Sequence, residues 1–184
     1  LVGSEMCIRD RSMDDLDSAR CKQVYFDACV EDLRSAGLCW DKLPDMQEAK
    51  GIHRQSYRAH FYEEALQELI KTGIIYPCNR PRSEIRKAGI KSHSGEEYLF
   101  PEKWRDCYHY QTGDYNRIHQ NWRIATSWGE RIVFRDGRLG ELNFEMGKDF
   151  SDFLVWRKDG IPSYEFATVV DDHLMEISEI VRGE

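Results

Sequence analysis

Arg182, in the run Val181-Arg182-Gly183 near the C-terminal end, carries a side chain that can grip an anion. Its guanidinium is a planar fork that can pair with a carboxylate through two parallel hydrogen bonds. Tyr164 precedes it by eighteen residues, in Pro162-Ser163-Tyr164. A phenol can donate a hydrogen bond while its ring walls a pocket. Asp14 supplies a carboxylate of the kind that holds an ammonium group. Taken singly these residue types are ordinary: Arg182 suits a surface ion pair and Tyr164 a partly buried core position. Asp15 and Asp17 suit orienting a turn and capping a helix. Asp171-Asp172-His173 offers metal or acid/base chemistry, but neighbouring helical residues point about 100° apart, so the two acids cannot easily share one ion. Structural hydrogen bonding is the expectation there. Cys107-x-His109 with His119 lacks a fourth ligand and is a weak metal signal.

These groups need elements to position them. A helix is expected from residue 16 to 36, with Asp17 or Ser18 as cap, Tyr25, Cys29, Leu33 and Ala36 at helical spacing, and Gly37 as the stop. Residues 41–51 read as a loop. Residues 57–72 form a second amphipathic pattern, with Phe61, Ala65, Leu66, Leu69 and Ile70 on one face, ended by Gly73. Ile74-Ile75-Tyr76 reads as a short buried strand. Residues 78–120 are polar and loop-rich, with one short helix near 83–88. Strand signals follow at 122–126, 131–135, 142–146 and 152–156, punctuated by Gly129, Gly137, Gly140 and Gly147. Residues 164–174 should be helical after Pro162, and 177–181 a strand. Patterning alone gives mixed α and β, with β-rich matter between outer helix–strand units.

The 184 residues are 41% hydrophobic and 32% charged, as in a soluble globular domain. No run approaches the roughly 20 apolar residues of a membrane helix. Net charge is −7, so no global basic footprint marks nucleic-acid binding. Arg80, Arg82, Arg86, Lys87 and Lys91 form a local basic patch, which is equally a solvated helix face. Six cysteines without disulfide-framework spacing indicate a reduced, cytoplasmic setting. Residues 1–11, LVGSEMCIRDR, stand apart. Read back into codons, the first ten resemble a sequencing-library adapter; they lack the apolar core of a signal peptide. They are taken as a non-native or disordered head.

Four segments in order resemble the class I glutamyl-tRNA synthetase family. Asp14-Asp15-Leu16-Asp17-Ser18-Ala19-Arg20 is similar to R-I-E-D-x-D-x-x-R. Ile75-Tyr76-Pro77-Cys78 follows, then Asp152-Phe153-Leu154 leading to Arg157-Lys158-Asp159-Gly160. The last is GIPSYEFATVVDDHLM with EIVRG. The resemblance implies an α/β fold: a Rossmann-like catalytic domain interrupted by an acceptor-stem-binding subdomain, truncated at both ends. Residues 12–77 would belong to the catalytic domain, 78–160 to the insertion, and 161–184 to the catalytic domain again. It places Arg182 on the glutamate side-chain carboxylate, Tyr164 in the glutamate pocket, and Asp14 on the amino group, where relatives usually have the longer Glu. It also implies ATP with Mg as substrate, and L-glutamate and tRNA as partners of a monomer. The family's H-I-G-H and K-M-S-K-S-type segments fall outside the sequence, so no catalytic residue is assigned and this stretch by itself is expected to be inactive.

Many relatives carry four zinc ligands in C-x-C and Y-x-x-x-C-R segments. Here Cys78 keeps the first place, Arg80 stands at the second, and Phe100 and Trp104 replace the others, so no zinc is expected. Ile177-Ser178-Glu179-Ile180-Val181-Arg182-Gly183 is closer to the I-T-E-I-V-R-G of glutamyl-queuosine tRNA(Asp) synthetases than to the I-T-H-V-I-R-G of enzymes that charge tRNA(Glu). That favours tRNA(Asp) as acceptor over tRNA(Glu). A non-catalytic paralogue that binds RNA or glutamate is the alternative outside enzymes.

Overall fold

The computed structural model describes residues 12–17, 20–37, 53–94, 97–105 and 117–180. The chain divides into two compact units, Leu1–Tyr62 and Glu63–Glu184. The loop expected at 41–51 lies outside the described residues.

In the first unit, β1 (Ser12–Met13) runs parallel to β2 (His53–Arg54). Helix α1 spans Gln23–Ser35, several residues later than expected. The reason is local. The carbonyl of Asp17 accepts from the amides of Arg20 and Cys21 at 2.9 Å, closing a turn that is used up before the helix begins. Lys22 takes the N-cap place and makes no side-chain cap bond. The buried face also differs: Phe26 and Val30 are inside, whereas Tyr25 and Cys29 are exposed. Gly37 ends the helix at φ 78°, in the left-handed region that glycine tolerates.

Helix α2 (Ala59–Thr72) follows a 3-10 turn at Gln55–Tyr57. Its buried line is Tyr62, Leu66 and Ile70, at the four-residue spacing of one helix face. Tyr62, fully buried, was absent from the expected face.

The second unit is built on a three-stranded sheet of order β3-β4-β7. Its strands are β3 (Ile75–Pro77), β4 (Trp122–Ile124) and β7 (Leu154–Trp156). Both pairings are antiparallel, with a register shift between Trp122 and Arg123. A Rossmann-like domain would hold residues 74–76 and 177–181 in one parallel sheet, but β3 pairs antiparallel with β4. Residues 177–180 form no strand. Helix α4 (Tyr164–Leu174) ends with Glu176 at φ 55°, and the amide of Ile177 turns back to the carbonyl of Asp172 at 2.9 Å. Glu176 N–H also donates to His173 O at 3.2 Å, completing a Schellman end in which the chain's polar groups serve the helix and not a sheet.

The β-rich stretch otherwise forms as expected. Strands β5 (Arg131–Asp136) and β6 (Gly140–Glu145) make a hairpin. The Asp136 carboxylate accepts from the amides of Arg138 and Leu139, both at 2.7 Å, which pins the turn. Those two backbone donors hold its carboxyl below the usual range. At Gly147, φ 89°, a Cβ would lie 2.7 Å from the Trp128 ring, so the close approach demands glycine. Helix α3 (Arg82–Ala88) occupies the place of the expected short helix.

Candidate functional site

Tyr164 sits on the first turn of α4, and its placement is well determined by local chemistry. Ser163 is the N-cap, its hydroxyl accepting from Phe166 N–H at 3.2 Å. The Ser163 amide donates to Val155 O at 2.9 Å, and Pro162 bridges Trp156, which ties the start of α4 to β7. Phe166, Ala167 and Asp171 face inward. Tyr164, on the first turn, is 51% exposed and is therefore not a core group. Asp171 is buried, Asp172 partly so, and His173 exposed, so this run does not present one cluster.

Asp14 follows β1 and is exposed. Its carbonyl accepts from the Cys21 thiol at 3.8 Å. The next residue, Asp15, is only 4% exposed and has a different role from the turn-orienting one expected. Its carboxylate accepts from Arg54 Nε at 2.7 Å, Ser56 N–H at 2.8 Å and the Ser56 hydroxyl at 2.7 Å. The Arg54 guanidinium lies over the rings of Phe26 at 4.8 Å and Tyr57 at 4.9 Å, and donates to Gln23 Oε1 at 2.8 Å. Asp15 thus fastens the chain just after β1 to the chain just after β2, and fixes the backbone that carries Asp14. Asp17 pairs with Arg20 at 3.4 Å on the surface. Arg182 lies outside the described residues, as do Cys107 and His109.

The second unit contains a network that spacing gave no sign of. Asp152 is 2% exposed. Its Oδ2 accepts from Tyr76 Oη at 2.6 Å and Arg105 Nε at 2.7 Å. Its Oδ1 accepts from Arg105 Nη2 at 2.6 Å, Thr126 N–H at 3.0 Å and the Thr126 hydroxyl at 2.9 Å. The fork of Arg105 is therefore bidentate. Burial, then the bond to Asp152, pushes the Tyr76 phenol well above its ordinary value. The same carboxylate raises Arg105.

Beside this network, Tyr76, Cys78, Ile85 and Phe100 make a buried cluster, with Trp104 and Ala125 packed against it. Phe100 and Trp104 meet edge-on at 5.8 Å. Arg80 lies over Trp104 at 4.7 Å, and Arg123 over Phe100 at the same distance. At the four places where the resemblance puts zinc ligands, one buried thiol is surrounded by aromatic rings and a cation. That donor set does not fit zinc. Among the described residues no group of three His, Cys, Asp or Glu side chains could hold a metal ion. No helix among them is long and apolar enough to cross a membrane.

Comparison with known proteins gives a consistent answer. The family described as tRNA synthetases class I (E and Q), catalytic domain, matches residues 4–184, beginning inside the segment set aside as a head. The chain is 32% identical to glutamate–tRNA ligase 2 of Syntrophus aciditrophicus over 189 residues, covering 99% of this chain and 37% of the relative. It is also 32% identical to glutamate–tRNA ligase of a Sulfurihydrogenibium species, covering 94% and 36%. Among solved structures it resembles glutamate-tRNA synthetase from Elizabethkingia anophelis, with a TM-score of 0.63, 20% identity, and 90% and 35% of the two chains covered. A glutamate tRNA ligase from Elizabethkingia meningosepticum, solved in complex with its amino acid, gives 0.60, 19%, 91% and 35%. The chain thus spans little more than a third of the length of the relatives it matches. A family match over nearly the whole sequence, with the same mixed α/β fold, means that this chain belongs to the class I tRNA synthetases for Glu and Gln, within their catalytic domain.

Proposed function

We propose that the protein to which this chain belongs activates L-glutamate with ATP and transfers it to tRNA, as a ligase forming an aminoacyl-tRNA bond. The observation that carries this reading is the similarity, over 94–99% of the chain, to proteins named glutamate–tRNA ligases. The proposed amino-acid site consists of Arg182 on the side-chain carboxylate, Tyr164 as a pocket wall and hydrogen-bond donor, and Asp14 on the ammonium group. The exposed Tyr164 at a rigidly capped helix start supports its share of this reading. ATP, with Mg, would enter as co-substrate. The aromatic cluster around Cys78 supports activity without zinc.

In the full-length enzyme, Arg182→Ala should lower glutamate activation by a factor on the order of 100, since losing a buried charge-assisted pair costs about 3 kcal/mol. Arg182→Lys should fail nearly as badly, because an ammonium cannot reproduce the fork. Near wild-type activation by either variant would remove Arg182 from the carboxylate contact.

The acceptor has two readings. The names of the relatives favour tRNA(Glu). Ser178-Glu179-Ile180 ahead of Val181-Arg182-Gly183 favours the queuosine base of tRNA(Asp). Parallel charging of tRNA(Glu) and queuosine-bearing tRNA(Asp) separates them: the glutamate appears on one and not on the other.

A further inference from the structure

We propose that Arg80 and Trp104 form a metal-free clasp joining the two segments that zinc ties together in relatives with the four-ligand set; the clasp lies apart from the amino-acid site and does not depend on which RNA is charged. The four ligand places set residues 78 and 80, at the exit from β3, against residues 100 and 104. In this chain the same two segments meet at those places without the donors for a metal. Cys78 and Phe100 lie in one buried cluster, with Trp104 packed against it. The Arg80 guanidinium lies over the Trp104 ring, 4.7 Å from its centre. Phe100 and Trp104 meet edge-on at 5.8 Å.

The surroundings of Arg80 suit a ring contact better than an ion pair. Its Nε is buried and has no hydrogen-bond partner among the described residues. A guanidinium laid on an aromatic face forgoes such bonds and gains from the ring's negative face, most where water is excluded. Its pairing with Glu84, at 3.3 Å, is part-exposed on both sides, and exposed pairs contribute little. A second cation extends the contact: Arg123, on β4, lies over Phe100 at 4.7 Å and donates to Asp152 O at 3.0 Å. Arg80, Trp104, Phe100 and Arg123 thus link the exit from β3 to β4 through two rings. The next residue after Trp104 is Arg105, whose fork reaches Asp152 at 2.6 and 2.7 Å, so the clasp also holds that fork in place. Zinc ligation by thiolates depends on pH and on the redox state of sulfur. A guanidinium on an indole depends on neither, so the clasp keeps these segments joined whatever the supply of metal.

The test uses the full-length enzyme and reads amide hydrogen exchange in the peptides around residues 78 and 104. Arg80→Met keeps the length of the side chain and removes its charge. It should speed exchange there roughly three- to tenfold, and should have almost no effect in a W104L background. In an E84Q background its effect should persist. Equal effects with and without Trp104 would overturn the clasp. An effect that disappears with Glu84 instead would also overturn it, since the ion pair would then be the cause. A zinc chelator should leave wild-type exchange unchanged, and a chelator-induced rise would overturn the metal-free reading. The variant R80C/F100Y/W104C restores, with Cys78, the donor set of the resembling relatives. It should take up stoichiometric zinc and become sensitive to the chelator. A folded variant that takes up no zinc would overturn the claim that the two segments meet as they do around a metal. None of these failures touches the charging reading, which is tested by glutamate activation.

Discussion

Two buried aspartates, Asp15 and Asp152, use the same chemistry for different ends. Both are nearly sealed from solvent and both engage an arginine Nε at 2.7 Å. Asp15 gathers donors from Arg54 and Ser56 alone, and the residue before it stays at the surface. Asp152 gathers Tyr76, Arg105 and Thr126 from three separate stretches, and its own backbone carbonyl accepts from Arg123 at 3.0 Å. One is a clamp beside a presented carboxylate. The other is the polar centre of a core. A buried charge is tolerable only when its lone pairs are filled, and in both cases they are. What distinguishes them is that the backbone fixed by Asp15 carries the exposed Asp14, proposed above as a ligand contact.

The sharpest break comes from Asp152→Ala. It strands Arg105, Tyr76 and Thr126 in a low-dielectric interior, and removing one partner of a buried pair costs about 3–5 kcal/mol. Chemical unfolding measures this, and a loss below about 1 kcal/mol would mean that the network is not a core element. Asp15→Asn should cost less, about 2 kcal/mol, because Arg54 keeps its place over Phe26 and Tyr57 and its bond to Gln23. Its functional effect should be larger. In the full-length enzyme the KM for glutamate should rise severalfold, as the backbone under Asp14 loosens, whereas Asp152→Asn should leave that KM alone. Equal effects of the two asparagine variants would erase the distinction drawn here.

Tyr76→Phe refines the comparison through pH. The folded Tyr76 phenol titrates far above its ordinary value of 10.0, because burial and the neighbouring carboxylate oppose its anion. The stability this represents is fully present below pH 10 and is lost as pH rises above it, where the unfolded state sheds a proton that the folded state keeps. The wild type should then lose about 1.4 kcal/mol per pH unit more steeply than Tyr76→Phe. At neutral pH the variant should be about 1 kcal/mol less stable, having lost one hydrogen bond. Parallel alkaline limbs for the two proteins would place the phenol in water.

Features set by near neighbours in sequence were legible. The span of α4 followed from Pro162, and the two strands of the hairpin from strand signals punctuated by glycines. Features set by distant partners were not. Asp152 and Tyr76 are 76 residues apart, and Asp15 and Arg54 are 39 apart, so no spacing rule could join them. Phe100 and Trp104 stood out only because they replace ligands in a resembling motif, and their packing together came from the structure. The antiparallel pairing of β3 with β4 shows the same limit: a short apolar run announces a strand but not its neighbour. The start of α1 was missed because the Asp17 carbonyl closes a separate turn with the amides of Arg20 and Cys21 ahead of the helix.

The strand expected at residues 177–181, which does not form at the described residues 177–180, leads to the smallest prediction. The C-terminal turn of α4 requires a left-handed residue at the first position beyond the helix, and Glu176 fills it at φ 55°. A residue with a Cβ pays about 1 kcal/mol there, and glycine does not. Glu176→Gly should therefore stabilise the protein by about 0.5–1 kcal/mol, less than the full strain because glycine also loosens the unfolded chain. Thermal unfolding measures the gain. The outcome also bears on the site. If the bonds from Glu176 to His173 and from Ile177 to Asp172 persist in the working enzyme, the glycine variant should activate glutamate as well as wild type, since the path from Tyr164 towards Arg182 is unchanged. If residues 177–181 instead pair as a strand in the working enzyme, easing the left-handed turn would favour the wrong conformation, and activation should fall while stability rises.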